Sequence, residues 1–407
     1  MPFARNTTNS RNGFAIKFSF AKILVVQFLV SILLACAFRV SAQVPTPSPS
    51  PQDQTDPDPN AKKTDDDAST KKPKRGSLIL APIPIVSPAF GSGLVLAAGY
   101  VFKLNVNDEI SPPSTIGLVG AFTNNGTHGG AIGGHLYFAE NKYQTRFAYG
   151  QGKANYEFFG IGRIPGSESV SVLIKQSGKF VFGEFMRNFG KKIFVGPRYQ
   201  YRKLTASLGG EETPGGFEIP VIDLESTTAA IGFRVQRDTT DGSFYPRKGM
   251  IFSFTGDYFA KALGSNRTYQ TYKTFYNGYR SLGPKQVLAY RAMGCSVSEA
   301  APFFDLCLYG TSSDLRGYTA GEFQNRRMFA TQVEYRRELP YRLGIVGFAG
   351  LGGVAPKWDK FQFNKLLPAA GVGLRFKLDK TNHINYRIDL GFGRNGHALS
   401  MSVTEAF

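Results

Sequence analysis

The chain has 407 residues, of which 14% are aromatic and 46 are glycine, a composition that is unusual for a soluble enzyme. Residues 1–76 hold 11 of the 48 Lys+Arg and 6 of the 30 Asp+Glu, which leaves residues 77–407 with a net charge of +13. In this second part no apolar run is long enough for a membrane helix, so residues 77–407 are not expected to cross a membrane as helices. The positive charge favours anionic lipids or solutes as partners.

Residues 1–42 are predicted to be a secretory signal peptide. Scattered positive charges precede the apolar run "ILVVQFLVSILLACAF", and the small residues "VSA" follow it, so cleavage is expected after Ala42. Two alternatives stay open. The run could anchor the chain in a membrane, although Gln27 and Ser31 interrupt it. The letters "LLAC" also resemble the lipobox of bacterial lipoproteins, in which case Cys36 would carry a lipid.

Residues 43–76 are rich in proline, serine and charges of both signs, and they contain almost nothing apolar to bury. Such a segment is predicted to be an extended, disordered periplasmic tether. Residues 77–407 remain as one folded domain. An exported domain of this kind is not expected to bind nucleic acid.

The folded part alternates apolar and polar residues. In "TAAIGFRVQRD", Ile231, Phe233 and Val235 fall on one face of a strand, and Arg234 and Gln236 fall on the other. The segments "RMFATQVEYRREL" and "GLRFKLD" repeat the pattern. Since these segments have the length of a tilted membrane strand, the fold predicted is an all-β, transmembrane antiparallel β-barrel in the outer membrane of a Gram-negative bacterium. Outer-membrane lipids, including lipopolysaccharide, are the expected surroundings.

About sixteen strands are predicted, an even number that is typical of bacterial barrels. Their connections alternate between tight turns, such as "FGKK" and "ELPY", and long segments near 152–168, 208–223 and 296–327. Short periplasmic turns and long external loops are the expected asymmetry. The strands are expected near residues 78, 91, 114, 128, 142, 169, 190, 224, 248, 267, 285, 327, 341, 366, 382 and 397.

Two features point to a seam between the first and last strands. Pro82 and Pro84 in "LILAPIPIVS" lack N–H groups. The backbone groups of residues two apart in a strand point toward the same neighbouring strand, so two donors are lost on one side. If that side faces the last strand, the seam is weak; alternatively, the segment is a periplasmic lead-in. Phe407 is expected to finish the last strand as an aromatic anchor at the inner interface, although Glu405 interrupts the alternation there.

Three segments, "RDTTDGSFYPRKGM", "PFFDLCLYGTSSDLRGY" and "AAGVGLRFKL" followed by "INYRIDLGFG", together resemble the bacterial surface antigen family, the barrel domain of BamA/TamA-type assembly and translocation factors. The resemblance covers most of residues 77–407. It implies a protein that assists insertion or translocation of other proteins through a lateral seam, with client outer-membrane proteins as partners. The tether occupies the position of the family's POTRA domains, so this is a short form, and a separate periplasmic partner could replace them.

The resemblance also implies that the sixth external loop folds back into the barrel and is latched there by an arginine. Family members often provide an aspartate partner in the motif F-x-D-x-G, where "FAGLG" has Gly350 instead. Alternation places Glu334 and Asp389 on the inner face as replacement partners, Glu334 first. In the alternative interpretation, the arginine is an exposed loop residue. The motif residues here are Leu315, Arg316, Gly317 and Tyr318.

Cys295 and Cys307 flank the start of this loop and are predicted to form a disulfide in an oxidising compartment; the alternative is two isolated small apolar residues.

No catalytic residue, metal ligand or cofactor is predicted, because the four histidines are scattered without nucleophile or metal-binding spacing. The alternative function left open is a passive pore for small anionic solutes.

Overall fold

The computed structural model describes residues 76–87, 91–158, 172–208, 222–310, 315–318, 322–380, 382–394 and 396–407. The predicted signal peptide, with Cys36, and all but the last residue of the predicted tether lie outside the described residues. The predictions made for these two segments therefore stay predictions.

Sixteen antiparallel strands form one nearly closed barrel, and each strand is hydrogen-bonded to its neighbours in chain order. Two short strands, β12 and β13, pair with each other within the connection between β11 and β14. The strands are β1 (Gly76–Ser87), β2 (Gly91–Phe102), β3 (Ser114–Thr123), β4 (His128–Phe138), β5 (Tyr143–Phe158), β6 (Val172–Asn188), β7 (Ile193–Leu208), β8 (Ile222–Asp238), β9 (Gly249–Phe259), β10 (Tyr269–Gly283), β11 (Gln286–Val297), β12 (Cys307–Tyr309), β13 (Phe323–Asn325), β14 (Arg327–Glu338), β15 (Leu343–Ala355), β16 (Leu367–Asp379), β17 (Ile384–Gly393) and β18 (Gly396–Val403).

The sixteen-stranded all-β barrel predicted from the alternation is confirmed, and each predicted position lies within three residues of a strand start. Apolar side chains on the outer wall are exposed, as Ile231 and Phe233 of β8 are, whereas Gln236 of the same strand is 4% exposed. This is the pattern of a barrel with lipid outside and a polar interior. Within the described part of the chain, the helices are single 3-10 turns, and none is long and apolar enough to cross a membrane.

The two ends of the barrel differ in their connections. At one end, tight turns place non-glycine residues at positive φ, including Lys191 (51°) and Tyr341 (58°). The longest connections, 159–171, 209–221 and 298–326, all leave the opposite end. By the asymmetry of bacterial barrels this opposite end is external, and 298–326 is the sixth external connection.

Candidate functional site

The motif Leu315–Tyr318 is buried against the interior of β14–β17. Leu315 is 0% exposed and Arg316 is 3% exposed. The neighbouring residues 311–314 and 319–321 lie outside the described residues, so the statements below concern the motif itself. An exposed position for Arg316, the alternative considered from the sequence, does not fit this burial.

Arg316 contacts both of the carboxylates that alternation placed on the inner face. Its Nη1 donates to Asp389 Oδ2 at 2.7 Å, and its Nη2 donates to Glu334 Oε2. The guanidinium also lies over the ring of Phe348, 3.7 Å from the centroid. A planar fork can bind two acceptors and stack on a ring at the same time, which an ammonium group cannot do. The latch role of these contacts stays a prediction.

The two carboxylates belong to a larger buried cluster that we call the arginine network. Asp389 also accepts hydrogen bonds from Nη1 of Arg375 (2.6 Å) and Nη1 of Arg387 (2.8 Å). Glu334 also accepts from Arg336 Nε at 2.5 Å. Buried charges of this kind persist only when they are paired, so the network holds its members together as a unit. Its members are Arg316, Glu334, Arg336, Arg375, Arg387, Asp389 and Glu405, whose Oε2 accepts from Arg375 Nε at 2.7 Å.

Glycines of β15 and β17 make room for the motif. A β-carbon on Gly391 would lie 2.6 Å from the main-chain nitrogen of Gly317, and one on Gly350 would lie 2.5 Å from Leu315 Cδ1. Gly350 is the position where the family often has aspartate, and here Leu315 packs against it instead. Gly317 has φ 122°, a conformation that favours glycine. Sequence pattern alone gave Gly350 no steric role.

Tyr318 closes the motif on the other side. Its hydroxyl donates to the carbonyl of Pro368 at 2.6 Å and accepts from the main-chain N–H of Arg394 at 3.0 Å. Its ring packs on Tyr309 and Phe323 of the short strands β12 and β13. The motif therefore joins the connection between β11 and β14 to β16 and to the end of β17.

Cys295 of β11 and Cys307 of β12 form a disulfide, with their Cα atoms 5.7 Å apart. Both residues are buried. The bridge fixes the first part of the connection to the barrel wall, at the loop position where sequence placed the pair.

A second anchor of the same connection was not found from the sequence. Asp305 accepts a hydrogen bond from Arg202 Nη2 of β7 at 2.6 Å and another from the hydroxyl of Tyr269 of β10. In the sheet order β7 is eight positions from β17, and β10 is two positions from β14. Arg202 and Asp305 are 103 positions apart, and Asp305 sits in a connection without periodicity, so no pattern could have paired them.

The seam lies between β1 and β18, the first and last strands of the sheet order. Their Cα atoms approach within 8 Å, but within the described residues no hydrogen-bonded strand pairing joins them. All twelve residues of β1 pair with β2. Pro82 and Pro84 are on the exposed outer face of β1. At the periplasmic end, Ser77 Oγ of β1 donates to Oδ2 of Asp379, the last residue of β16, at 3.3 Å, so a side-chain contact links the two sides of the seam beyond the end of β18.

The structure corrects the expectation for Phe407. Strand β18 ends at Val403, Thr404 takes φ 73°, and the chain then turns inward. Phe407 is 8% exposed and packs against Tyr279 and Ala289 inside the barrel, not at the lipid interface. Arg336 and Arg375 hold this segment through their contacts with Phe407 and Glu405, which accounts for the break in alternation at Glu405.

In the residues that the structure describes, no group of three or more His, Cys, Asp or Glu could hold a metal ion.

Comparisons with known proteins agree with this architecture. Residues 197–392 match the Omp85 superfamily domain. The fold is similar to that of BamA from Haemophilus ducreyi lacking POTRA domains 1-3, with a TM-score of 0.54 and 13% identity over 93% of this chain and 78% of that one. It is also similar to CdiB from Acinetobacter baumannii, with a TM-score of 0.50 and 12% identity over 81% of this chain and 65% of that one. No curated protein matches the sequence. The match of residues 197–392 to the superfamily domain, together with the sixteen-stranded barrel, indicates a Gram-negative outer-membrane protein.

Proposed function

Because the chain carries an Omp85 superfamily domain, we propose that it assists the insertion or translocation of proteins at the outer membrane, with the seam between β1 and β18 as the working edge. The observation that carries the proposal is the seam itself, where two strands lie side by side without strand pairing in the described residues. The action is non-covalent: the seam opens and a strand of a client barrel pairs with the free edge.

The prolines of β1 support this role. Proline within a sheet is confined to edge strands, with the side that lacks the N–H facing away from the paired neighbour. β1 pairs only with β2 in the sheet order, so by this preference we place that side of Pro82 and Pro84 toward β18. The edge thus lacks two donors that a permanent closure would use, which keeps the seam easy to separate.

The edges of β1 and β18, which no strand pairing joins within the described residues, also favour the addition of a partner strand. In lipid each unsatisfied backbone group carries a free-energy penalty of several kcal/mol. A client strand that adds to the edge of β1 or β18 removes this penalty, so the edge acts as a template. Client outer-membrane proteins are therefore the proposed partners, together with a periplasmic protein that delivers them.

The test is a reversible lock of the seam. Ser77→Cys in β1 and Asp379→Cys at the end of β16 replace side chains whose oxygens lie 3.3 Å apart, so a disulfide between them would tie β1 to the other side of the seam beyond the end of β18. The doubly substituted full chain is reconstituted into vesicles, and folding of a urea-denatured client barrel is followed by its heat-modifiable mobility on gels. We expect oxidation to abolish the acceleration of client folding and reduction to restore it.

The single-cysteine variants and the unsubstituted chain, each with and without reductant, control for loss of the Ser77–Asp379 contact and for reduction of the native disulfide. Equal acceleration by the locked and reduced forms of the double variant would reject the seam as the working edge.

A passive pore for small anionic solutes is the second candidate, and one observation favours it. An interior cavity of about 440 Å³ is lined by more cations than carboxylates. The cations include Arg198, Arg234 and Lys273, and the carboxylates are Asp238, Asp257, Asp305 and Glu405. Planar-bilayer recording distinguishes the two functions. Large steady anion conductance together with no effect on client folding would support the pore, whereas small conductance with accelerated client folding supports the assembly role.

A further inference from the structure

The connection between β15 and β16, residues 356–366, packs against the outside of the barrel at the external end. We call it the outer-wall loop. Phe361 packs edge-to-face on Phe329, with ring centroids 5.0 Å apart. Phe329 lies on the lipid-facing side of β14, since its neighbours Met328 and Ala330 face inward and are each 1% exposed. A β-carbon on Gly353 would lie 3.4 Å from Leu366 and 3.8 Å from Phe361, so the loop rests closely on the wall.

This packing leaves two large apolar side chains of the loop uncovered. Phe363 is 93% exposed and Trp358 is 52% exposed. Trp358 stacks on Phe361 at 5.6 Å, which orients it along the wall. Trp358 and Phe361 follow the external end of β15, and aromatic residues of outer-membrane barrels concentrate where the hydrocarbon of a leaflet meets its headgroups.

The same loop presents a cluster of positive charge beside the aromatics. Lys357, Lys360 and Lys365 are exposed. The one carboxylate in the loop, Asp359, lies 3.4 Å from Lys360 Nζ. Arg394 is also exposed, and its Nη1 donates to the carbonyl of Asn364 at 2.9 Å, which adds a fourth cation from the β17–β18 turn.

We propose that the outer-wall loop and Arg394 form a docking surface for a phosphorylated glycolipid of the outer leaflet. The lysines and Arg394 bind its phosphate groups, while Phe363 and Trp358 enter the upper acyl region. Phosphate oxygens are strong acceptors for clustered Lys and Arg, and exposed aromatics beside these cations match the apolar part of the same lipid. The surface is separate from the seam mechanism and does not depend on it.

Trp358 is the single tryptophan of the chain, so its emission, excited selectively over that of the 19 tyrosines, reports on this loop alone. The purified full chain in detergent micelles is titrated with bisphosphorylated lipid A and with enzymatically dephosphorylated lipid A. We expect a saturable blue shift of the emission with the phosphorylated lipid and an apparent Kd at least about tenfold weaker with the dephosphorylated one.

The triple variant Lys357→Gln, Lys360→Gln and Lys365→Gln is expected to lose at least about tenfold in affinity for bisphosphorylated lipid A. A matched variant, Lys191→Gln, Lys192→Gln and Lys285→Gln, removes the same charge from the opposite end of the barrel and is expected to bind as the unsubstituted chain does. Phe363→Ser is expected to reduce the blue shift.

Equal affinity for the two lipids, or for the two triple variants, would overturn the proposal. So would a blue shift that rises with protein concentration and not with lipid, because the surface would then be a contact between copies of this chain.

Discussion

Arg336 donates from Nη2 to the main-chain oxygen of Phe407 at 2.7 Å, inside the barrel. The same arginine binds Glu334, and Glu334 binds Arg316 of the loop motif. A continuous path of ionic contacts therefore runs from the motif to the segment that follows β18, one of the two strands at the seam. Contiguous buried contacts of this kind are a physical route by which a change in the motif can alter the seam.

Arg316→Ala is expected to lower the free energy of unfolding by about 3 kcal/mol, because it leaves a buried carboxylate pair short of one cation. Arg316→Lys should recover less than half of this loss, since an ammonium cannot bind Asp389 and Glu334 through a planar fork. Urea unfolding of the reconstituted barrel, followed by heat-modifiable gel mobility, measures both values.

Lys285→Ala removes an exposed cation from a tight turn and is the control, with an expected change below about 0.5 kcal/mol. Equal stability of the Arg316→Ala and Lys285→Ala variants would show that Arg316 is not a structural contact.

Gly391→Val tests whether the motif packs against β17. The added side chain would overlap the main chain of Gly317, so we expect the motif to leave its place and Arg316 to become a site of rapid tryptic cleavage. Limited proteolysis with mass spectrometry reads the cleavage directly. Gly347→Val is the matched control, because no atom lies within 4 Å of a β-carbon there. Slow cleavage at Arg316 in the Gly391→Val variant would contradict the packing described.

The strands and the two carboxylates that bind Arg316 could be predicted from the sequence because both follow from a period of two residues. Glu334 and Asp389 lie on strands that run without interruption, so the alternation fixed their side of the wall. Glu405 and Phe407 could not be predicted, because positive φ at Thr404 ends the strand and the period with it. The contact of Asp305 could not be predicted for a related reason, since its partner Arg202 is determined by tertiary contact alone.

Cys307→Ser removes the disulfide and should lower the free energy of unfolding by about 3 kcal/mol. The bridge joins residues 12 positions apart and so restricts the unfolded chain. In the unsubstituted protein, denatured without reductant, a thiol-reactive polyethylene glycol is expected to label neither Cys295 nor Cys307, and to label both after reduction. Labelling of both residues before reduction would show that the bridge does not form.

The coupling between the motif and the segment after β18 can be measured with a double-mutant cycle. Phe407→Ala alone should lower the free energy of unfolding by about 3 kcal/mol, because it empties a buried aromatic site. Arg316 is joined through Glu334 to Arg336, whose Cζ lies 5.5 Å from the centroid of the Phe407 ring. Because Phe407→Ala removes this ring, the combined variant should deviate from additivity by at least about 0.5 kcal/mol. The cycle of Arg316→Ala with Phe122→Ala, an exposed residue on the outer wall of β3, should be additive within about 0.3–0.5 kcal/mol. Additivity in both cycles would mean that the arginine network stabilises the barrel without connecting the motif to the seam.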